Sequence, residues 1–464
     1  MSSGNNEIKT ATVRDVIQFD NELLENISTL IEERSQESLL TIFAGLHPAD
    51  IAEIINHLRP EEASFCFKLL ETETAGEVIT ELDENLREKI LATLEPKEIV
   101  EIVDELDTDD ATDIVSELPD QIAEHVLKNI DKEDSLDVKQ LLKYEEDTAG
   151  GIMNSDFVFV TDSATVETAV FELRKYAEEI DHIYHIYVLD NSDKLLGIVY
   201  LKSLLLHSPD AKITSIMEED LIYVTPDTDQ EEVAAIIEKY DLVAIPVVDE
   251  NKIMLGRITI DDVIDVINEE ASEDLQKVAG ITEEEEHSDS VFRISRTRLP
   301  WLMVSLTGGL INAMVLSKYE ASIQENVIAS FFVPIVMAMG GSSATQAAIV
   351  MVRGLATRDI MSSQRLGKVL KEFRVAILNG LACSVLLLSA AFFIFDSGMS
   401  FALVLSGALL SIILIATTLG SVVPMVFNAL GVDPAIAAGP FVNAMNDLIG
   451  LSIYLTFLTK FYSG

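Results

Sequence analysis

AIAAGPFVNAMNDLIGLSIYLTFLT, residues 435–459, is long enough and apolar enough to cross a bilayer, and it carries one charge, Asp447. A carboxylate at membrane depth costs roughly 2.5–3.5 kcal/mol on insertion scales, so it faces a protein interior or an aqueous path. Asn443 lies one helical turn earlier, Asn446 is adjacent, and Gly439 and Gly450 leave room for close backbone approach. Asn443, Asn446 and Gly439 are therefore pore-lining candidates. Asp447 itself has two readings: a protonated side chain hydrogen-bonded between helices, or an acidic ring that attracts a cation, one Asp from each subunit of a dimer. Magnesium suits the second, because it sheds water reluctantly and takes a few carboxylates acting on a hydrated ion.

Working back along the chain, residues 299–316, 327–352, 375–395 and 401–427 are further apolar stretches without an acidic or basic residue, so five spans are expected within 293–464. Arg293, Arg296 and Arg298 precede the first, and Arg353, Arg358, Arg365, Lys368, Lys371 and Arg374 fill the loop between the second and third. The positive-inside rule puts both groups in the cytosol and, with five spans, the C-terminus outside. The opening MSSGNNEIKTATVRD lacks the basic and apolar regions of a signal peptide, which keeps the N-terminus cytosolic. In the second span, MGGSSATQ (residues 339–346) interrupts an apolar helix with small and polar residues, the pattern of helix packing or of a pathway lining. Pro334, Pro424 and Asn428 mark kinks or breaks.

Charge divides the chain in two. From Arg293 onward stand 11 of the 32 Lys and Arg and 7 of the 78 Asp and Glu, leaving 21 basic and 71 acidic residues before it. Such an acidic face repels nucleic acid and anionic lipid head groups and attracts divalent cations where folding crowds its carboxylates. Cys66 and Cys383 are the only cysteines, far apart and without a Cys/His cluster, which excludes a disulfide framework and a thiolate zinc site. All seven His precede the first span without metal-ligand spacing, and the GxxxxGK[ST], GxGxxG, HExxH and GxSxG signatures are absent, which argues against an enzyme.

The expected architecture is multidomain. Residues 1–145 read as an acidic α-helical superhelix of short amphipathic helices, with a loose repeat in HPADIAEIINHL (47–58), EPKEIVEIVDEL (95–106) and DDATDIVSELP (109–119). Residues 146–268 hold a duplication: FVFVT (157–161) matches LIYVT (221–225), IYVLD (186–190) matches IPVVD (245–249), and Gly197-Ile-Val matches Gly256-Arg-Ile. Each copy predicts strand, helix, strand, turn, strand, helix. Residues 269–292 continue the last helix as an acidic connecting helix and linker. Val263, Ile267, Ala271, Leu275 and Val278 are expected on one stripe, and Glu283–Glu286 reads as a solvated spacer.

The duplication resembles a tandem CBS module, an α/β unit that in its relatives senses ligands, often nucleotides, and dimerises. Lys202 stands where some relatives carry a basic nucleotide contact. The whole chain is similar to the MgtE family of magnesium channels and transporters. The resemblance rests on Asp229-Gln-Glu-Glu-Val233 with Tyr240-Asp241, Pro246-Val-Val-Asp249, Asp261-Asp262-Val-Ile-Asp265, Glu270-Ala-Ser-Glu273-Asp274, Arg353-Gly-Leu-Ala-Thr-Arg-Asp359, Gly431-Val-Asp-Pro434 and Asp447-Leu-Ile-Gly450. That resemblance implies an all-α five-helix transmembrane domain, a homodimer in a bacterial plasma (inner) membrane in contact with its lipid, and no enzyme activity.

It also implies a pore carboxylate at Asp447. The regulatory Mg2+ ligands fall on Asp229, Glu231, Asp241, Asp262, Asp265, Glu270, Glu273 and Asp274, with partners at Asp109 and Asp110. Ser342, Ser343 and Ala344 stand where the family carries Asn and Gly, and Gly439 stands where it often has Asn before the proline. The expected activity is Mg2+ import closed by cytosolic Mg2+ that bridges the acidic surfaces and seats the connecting helix over the inner pore mouth. Alternatives are transport of Co2+ or Mn2+, or a membrane metal sensor that conducts nothing. The absence of His from the spans argues against zinc or copper.

Overall fold

A computed structural model describes residues 21–462 apart from 178, 179, 181, 280–290, 326, 357–364, 437, 438 and 440. The Glu283–Glu286 run, Arg358 and Asp359 lie outside the described residues. The chain forms two compact units that part between Ile264 and Asp265.

The first unit opens with short helices from Asn21–Glu32 to Lys132–Leu141. Pro48, Pro60 and Pro96 each occupy the first helical position, where the missing N–H would have no partner in any case. His47 accepts from the Ala49 N–H at 3.3 Å to cap the first of these. Alternate helices stack: Pro48–Asn56 packs on Thr72–Thr80, which packs on Pro96–Val103, which packs on Asp120–Asn129. Ile51, Ile55, Val78, Ile79, Ile99 and Val126 sit between the layers, each almost completely buried. Of the repeats read from sequence, 47–58 and 95–106 fall in this stack with Thr72–Thr80 between them, while 109–119 forms helix Thr108–Glu117, which packs on Lys132–Leu141. Arg87 and Glu117 clamp two of its turns, with Nε 3.0 and 3.1 Å from the two carboxylate oxygens and Nη2 on the same group.

The α/β module follows. β1 (Phe159–Thr161) runs parallel to β2 (His185–Leu189), which pairs antiparallel with β3 (Leu195–Tyr200); β4 (Ala244–Val248) pairs antiparallel with β5 (Met254–Thr259). The second copy departs from the expected pattern, because residues 221–225 contribute only a single bridge, Val224 to Val247. The reason is Pro246. In the first copy the Tyr187 N–H donates to the Val158 carbonyl at 2.9 Å. Pro246 stands at the matching place with no N–H, so the parallel ladder cannot continue.

The connecting helix (Ile260–Ala279) runs on directly from β5. The expected stripe changes after one turn: Val263 and Val266 are buried, while Ile267 is 43% exposed. Burial here follows an i, i+3 spacing instead of the expected i, i+4. The side chains of Leu275 and Val278 lie outside the described residues.

The second unit contains the end of this helix and the apolar helices. Among the described residues four are long and apolar enough to cross a membrane: Val291–Lys318, Val327–Leu355, Arg365–Phe393 and Met399–Ala429. The first begins eight residues before its apolar core, so Arg293, Arg296 and Arg298 are helical. The stretch expected as a fifth span is two helices, Pro434–Ile436 and Val442–Phe461. Pro440 lies between them, outside the described residues. The 20-residue last helix, with Asn443, Asn446 and Asp447 in its first two turns, is not among those four.

The last helix packs against the first, second and fourth. Its Tyr454 hydroxyl, fully buried, donates to the Ala329 carbonyl at 2.7 Å. The second and fourth helices meet at Gly420, where a Cβ would lie 2.2 Å from the Ala344 carbonyl oxygen. Small residues allow such backbone contact where no water competes.

Two outcomes are expected. Gly420→Val forces these helices apart, at a cost at or above the roughly 1–3 kcal/mol of an overpacked core, read as loss of monodisperse protein in detergent. Arg87→Met strands Glu117, whose side chain is 15% exposed, and destabilises the superhelix by about 2 kcal/mol, less than the 3–5 of a fully buried pair, read as faster amide exchange in residues 84–117.

Candidate acidic cavity and membrane carboxylate

Within the first unit, the superhelix and the α/β module enclose a polar cavity of about 270 Å³. Asp107, Asp109 and Asp110 line it from the start of helix Thr108–Glu117; Asp261 and Asp262 line it from the first turn of the connecting helix, together with Glu77, Glu81 and Glu105. Arg257 is the one Lys or Arg among the lining residues; it is buried, and its Nη1 donates to the His182 carbonyl at 3.0 Å.

A polar seam fixes the aspartates. The Asn154 amide donates to Asp107 Oδ2 at 3.1 Å and to Asp109 Oδ1 at 3.2 Å. The buried Thr108 hydroxyl donates to Asn154 Oδ1 at 3.2 Å and accepts from the Ser155 N–H at 3.0 Å. Asp262 Oδ2 accepts from the Thr259 hydroxyl at 2.8 Å and from its N–H at 3.3 Å, which caps the connecting helix. His182 Nε2 stands 3.5 Å from Asp261 Oδ2.

Electrostatics follow from this crowding. Burial, then the neighbouring charges of Asp113, Asp107 and Asp262, push the Asp110 carboxyl up to about 7. Asp109 is raised well above the usual carboxylate range by burial and by Asp110, Asp262 and Asp107. The cavity therefore favours a proton or a cation. Among the described residues no three His, Cys, Asp or Glu side chains converge closely enough to hold a bare metal ion. Carboxylates spread around a wet cavity fit a divalent ion that keeps its water shell.

The other expected ligands are dispersed. Asp229 caps helix Gln230–Tyr240 by accepting from the Glu231 N–H at 2.9 Å; Asp229 and Glu231 are exposed. Asp241 closes the same helix in the left-handed region, φ 52°, which Asp tolerates better than most residues. Asp265 and Glu273 are exposed and Glu270 half-buried on the connecting helix, whereas the Asp274 side chain lies outside the described residues. Lys202 is exposed, its Nζ 5.4 Å from the centre of the Tyr200 ring.

In the membrane unit, Asp447 is half-buried on the last helix with no hydrogen-bond or ion-pair partner among the described residues. One turn earlier, Asn443 Oδ1 accepts from the Thr345 hydroxyl of the second helix at 3.1 Å. Asn446 is buried against Gly340, where a Cβ would come within 3.0 Å of its Nδ2, an atom without a partner among the described residues. Gly439 is buried ahead of the helix. The glycine pair of MGGSSATQ thus faces the two asparagines.

Sequence reasoning missed three participants. Lys277 Nζ lies 2.6 Å from Glu273 Oε1 and 2.7 Å from Asp433 Oδ2. Burial alone would lower its pKa; hydrogen bonds to Asp433 and Glu273 outweigh burial and raise it. Arg257 was hidden inside a strand pattern and Asn154 in a loop, neither marked by periodicity.

Comparison with known proteins agrees with the order of domains along the chain. Family models match for the MgtE intracellular N domain over residues 46–147, for CBS domains over 149–210 and 213–269, and for a divalent cation transporter over 333–457. The chain is similar to the magnesium transporter MgtE of Bacillus subtilis, 31% identical over 440 residues that cover 95% of this chain and 97% of that protein. It is similar also to the magnesium transporter MgtE of Thermus thermophilus, 32% identical over 445 residues covering 94% and 98%. A crystal structure of the cytosolic domain of the Mg2+ channel MgtE in complex with ATP matches at 33% identity and TM-score 0.50, covering 52% of this chain and 99% of that one. With similarity running through helical domain, CBS pair and membrane helices alike, the chain belongs to the MgtE family of magnesium transporters.

Proposed function

We propose that this chain imports Mg2+ as a homodimer in the plasma membrane, and that Mg2+ on the cytosolic side closes it. The observation that carries the reading is Asp447, a carboxylate without a protein partner among the described residues, on a membrane helix whose asparagines meet a glycine pair. A lone carboxylate at that depth is sustained by a passing cation and its water. Two such groups, one from each subunit, would draw a hydrated divalent ion to the axis, with Asn443, Asn446 and Gly439 beside its water shell.

The last helix then acts as a fifth span. Lys277 pairs with Asp433, and Arg365 Nη2 donates to Asn428 Oδ1 at 2.7 Å. Both contacts support one membrane side for the connecting helix, the start of the third span and the link between the fourth and last, which leaves the C-terminus on the other side. Arg293, Arg296 and Arg298 favour the cytosol for the first of these sides.

Closure follows from charge. With little Mg2+, the carboxylates of Asp107, Asp109, Asp110, Asp261 and Asp262 repel one another around their cavity. Hydrated Mg2+ entering there neutralises them, and further ions on Asp229, Glu231, Asp241, Asp265, Glu270, Glu273 and Asp274 extend the same effect along the connecting helix. Many weak sites acting together give a cooperative switch. A nucleotide at the CBS pair, with Lys202 as a basic contact, is part of this reading and is supported by the ATP complex of the related cytosolic domain.

Three measurements test it. Proteoliposomes with the wild-type chain take up Mg2+, and Asp447→Ala lowers the rate by about tenfold or more; a well-folded wild type that moves no Mg2+ favours the sensor reading, and one that moves Co2+ or Mn2+ instead reassigns the cargo. Glu270→Gln/Glu273→Gln/Asp274→Asn raises the cytosolic Mg2+ that halves the flux by about fivefold or more, and normal closure in the triple variant removes the bridging mechanism. The raised Asp109 and Asp110 pKa values mean the folded cavity binds protons more tightly than the unfolded chain, so its stability is kept in acid and falls as pH rises from about 4 through 7. Mg2+ is therefore expected to slow amide exchange in residues 107–117 more at pH 8 than at pH 6.

A further inference from the structure

The first and last membrane helices, Val291–Lys318 and Val442–Phe461, border an apolar groove of about 540 Å³. Its floor is the contact of Gly308 with Ala444, where an added Cβ would lie 3.2 Å from the alanine Cβ. Met303 and Thr307 line one side, Met445 and Leu448 the other, and no charged side chain is among the lining residues. The Thr307 hydroxyl is spent on the Met303 carbonyl at 2.7 Å. Met303 and Thr307 are exposed, so the groove opens along the face of a helix apolar enough to cross a membrane. Charge gathers at one end. Pro300 closes the lining there, Arg296 stands one helical turn before it, and Arg293 nearly another turn before that, both exposed on the same helix. The helix holds no Asp or Glu from Val291 to Lys318.

We propose that this groove binds one acyl chain of an anionic phospholipid whose phosphate sits against Arg296 and Arg293. An apolar slot topped by guanidinium groups matches the two parts of such a molecule, hydrocarbon at membrane depth and negative charge at the membrane surface. A second copy laying its own first helix in the slot would bring the same arginines to the same level, and their repulsion opposes that occupant. The chain in the groove touches Met303 on one helix and Met445 on the other, so it braces the first helix against the one that bears Asp447. The site rests on the placement of these helices in the bilayer and requires no ion flux, so it stands or falls apart from the import reading.

Trp301 is the chain's only tryptophan and follows Pro300 at the charged end of the groove, so its fluorescence reports the lipid beside it. The test reconstitutes the full-length chain in phosphatidylcholine vesicles containing the same minor fraction of either brominated phosphatidylglycerol or brominated phosphatidylcholine, whose bromines quench tryptophan. The wild type prefers the anionic lipid by about tenfold or more, and Arg296→Gln lowers that preference about fivefold. Thr307→Phe fills the groove and removes most of the preference with both arginines in place. Thr307→Val, which leaves the groove open, keeps it and separates filling from misfolding. Equal quenching of the wild type by the two lipids overturns the proposal. So does a preference that survives Thr307→Phe, which assigns it to surface charge without a seat for the chain. Quenching by neither lipid means that protein covers the groove, a second copy included, and overturns it as well.

Discussion

Carboxylates taken out of water need a proton, a donor or a cation, and this chain collects more of them than its own cations can match. Its first unit answers with hydrogen bonds where geometry permits: Asn154 spans Asp107 and Asp109, and Thr259 holds Asp262. What remains is a cavity whose aspartates resist ionisation. That unrelieved charge is what a divalent ion can act on. A better neutralised protein would be more stable and would have less to report. The family performs transport rather than catalysis.

The membrane unit meets the same constraint with fewer groups. Tyr454, Ser384 and Thr345 find acceptors on neighbouring helices, at 2.7, 3.0 and 3.1 Å. Asp447 finds none among the described residues. Close packing at Gly420 and Gly340 brings the helices near enough for these polar contacts to form.

Much of this was legible in the sequence. Proline at helix starts and apolar positions three and four apart give the superhelix, because its helices are short and each needs a cap. The CBS pair shows through duplication, and the apolar helices through length. Asp447 stands out because a charge in an apolar run has an energetic cost that composition alone reveals. The misses share a physical cause. Pro246 breaks a ladder only through its partner strand, and Lys277 meets a residue more than 150 positions away. Pairings across the fold leave no periodic trace. Ile267 fell off its expected stripe because burial on the connecting helix takes Val263 and Val266, three apart, rather than residues four apart.

The missing ladder at Pro246 also has a mechanical meaning. The first CBS copy has a three-stranded sheet, whereas the second has two strands and a lone bridge at Val224. β5 of that lighter copy passes without a loop into the connecting helix at Ile260. Two halves born of one duplication thus differ in their hydrogen-bond ladders, and the half with fewer ladder bonds is the one continuous with the connecting helix. Fewer ladder bonds mean less resistance to local opening, so the second half is expected to lose its amide protection before the first.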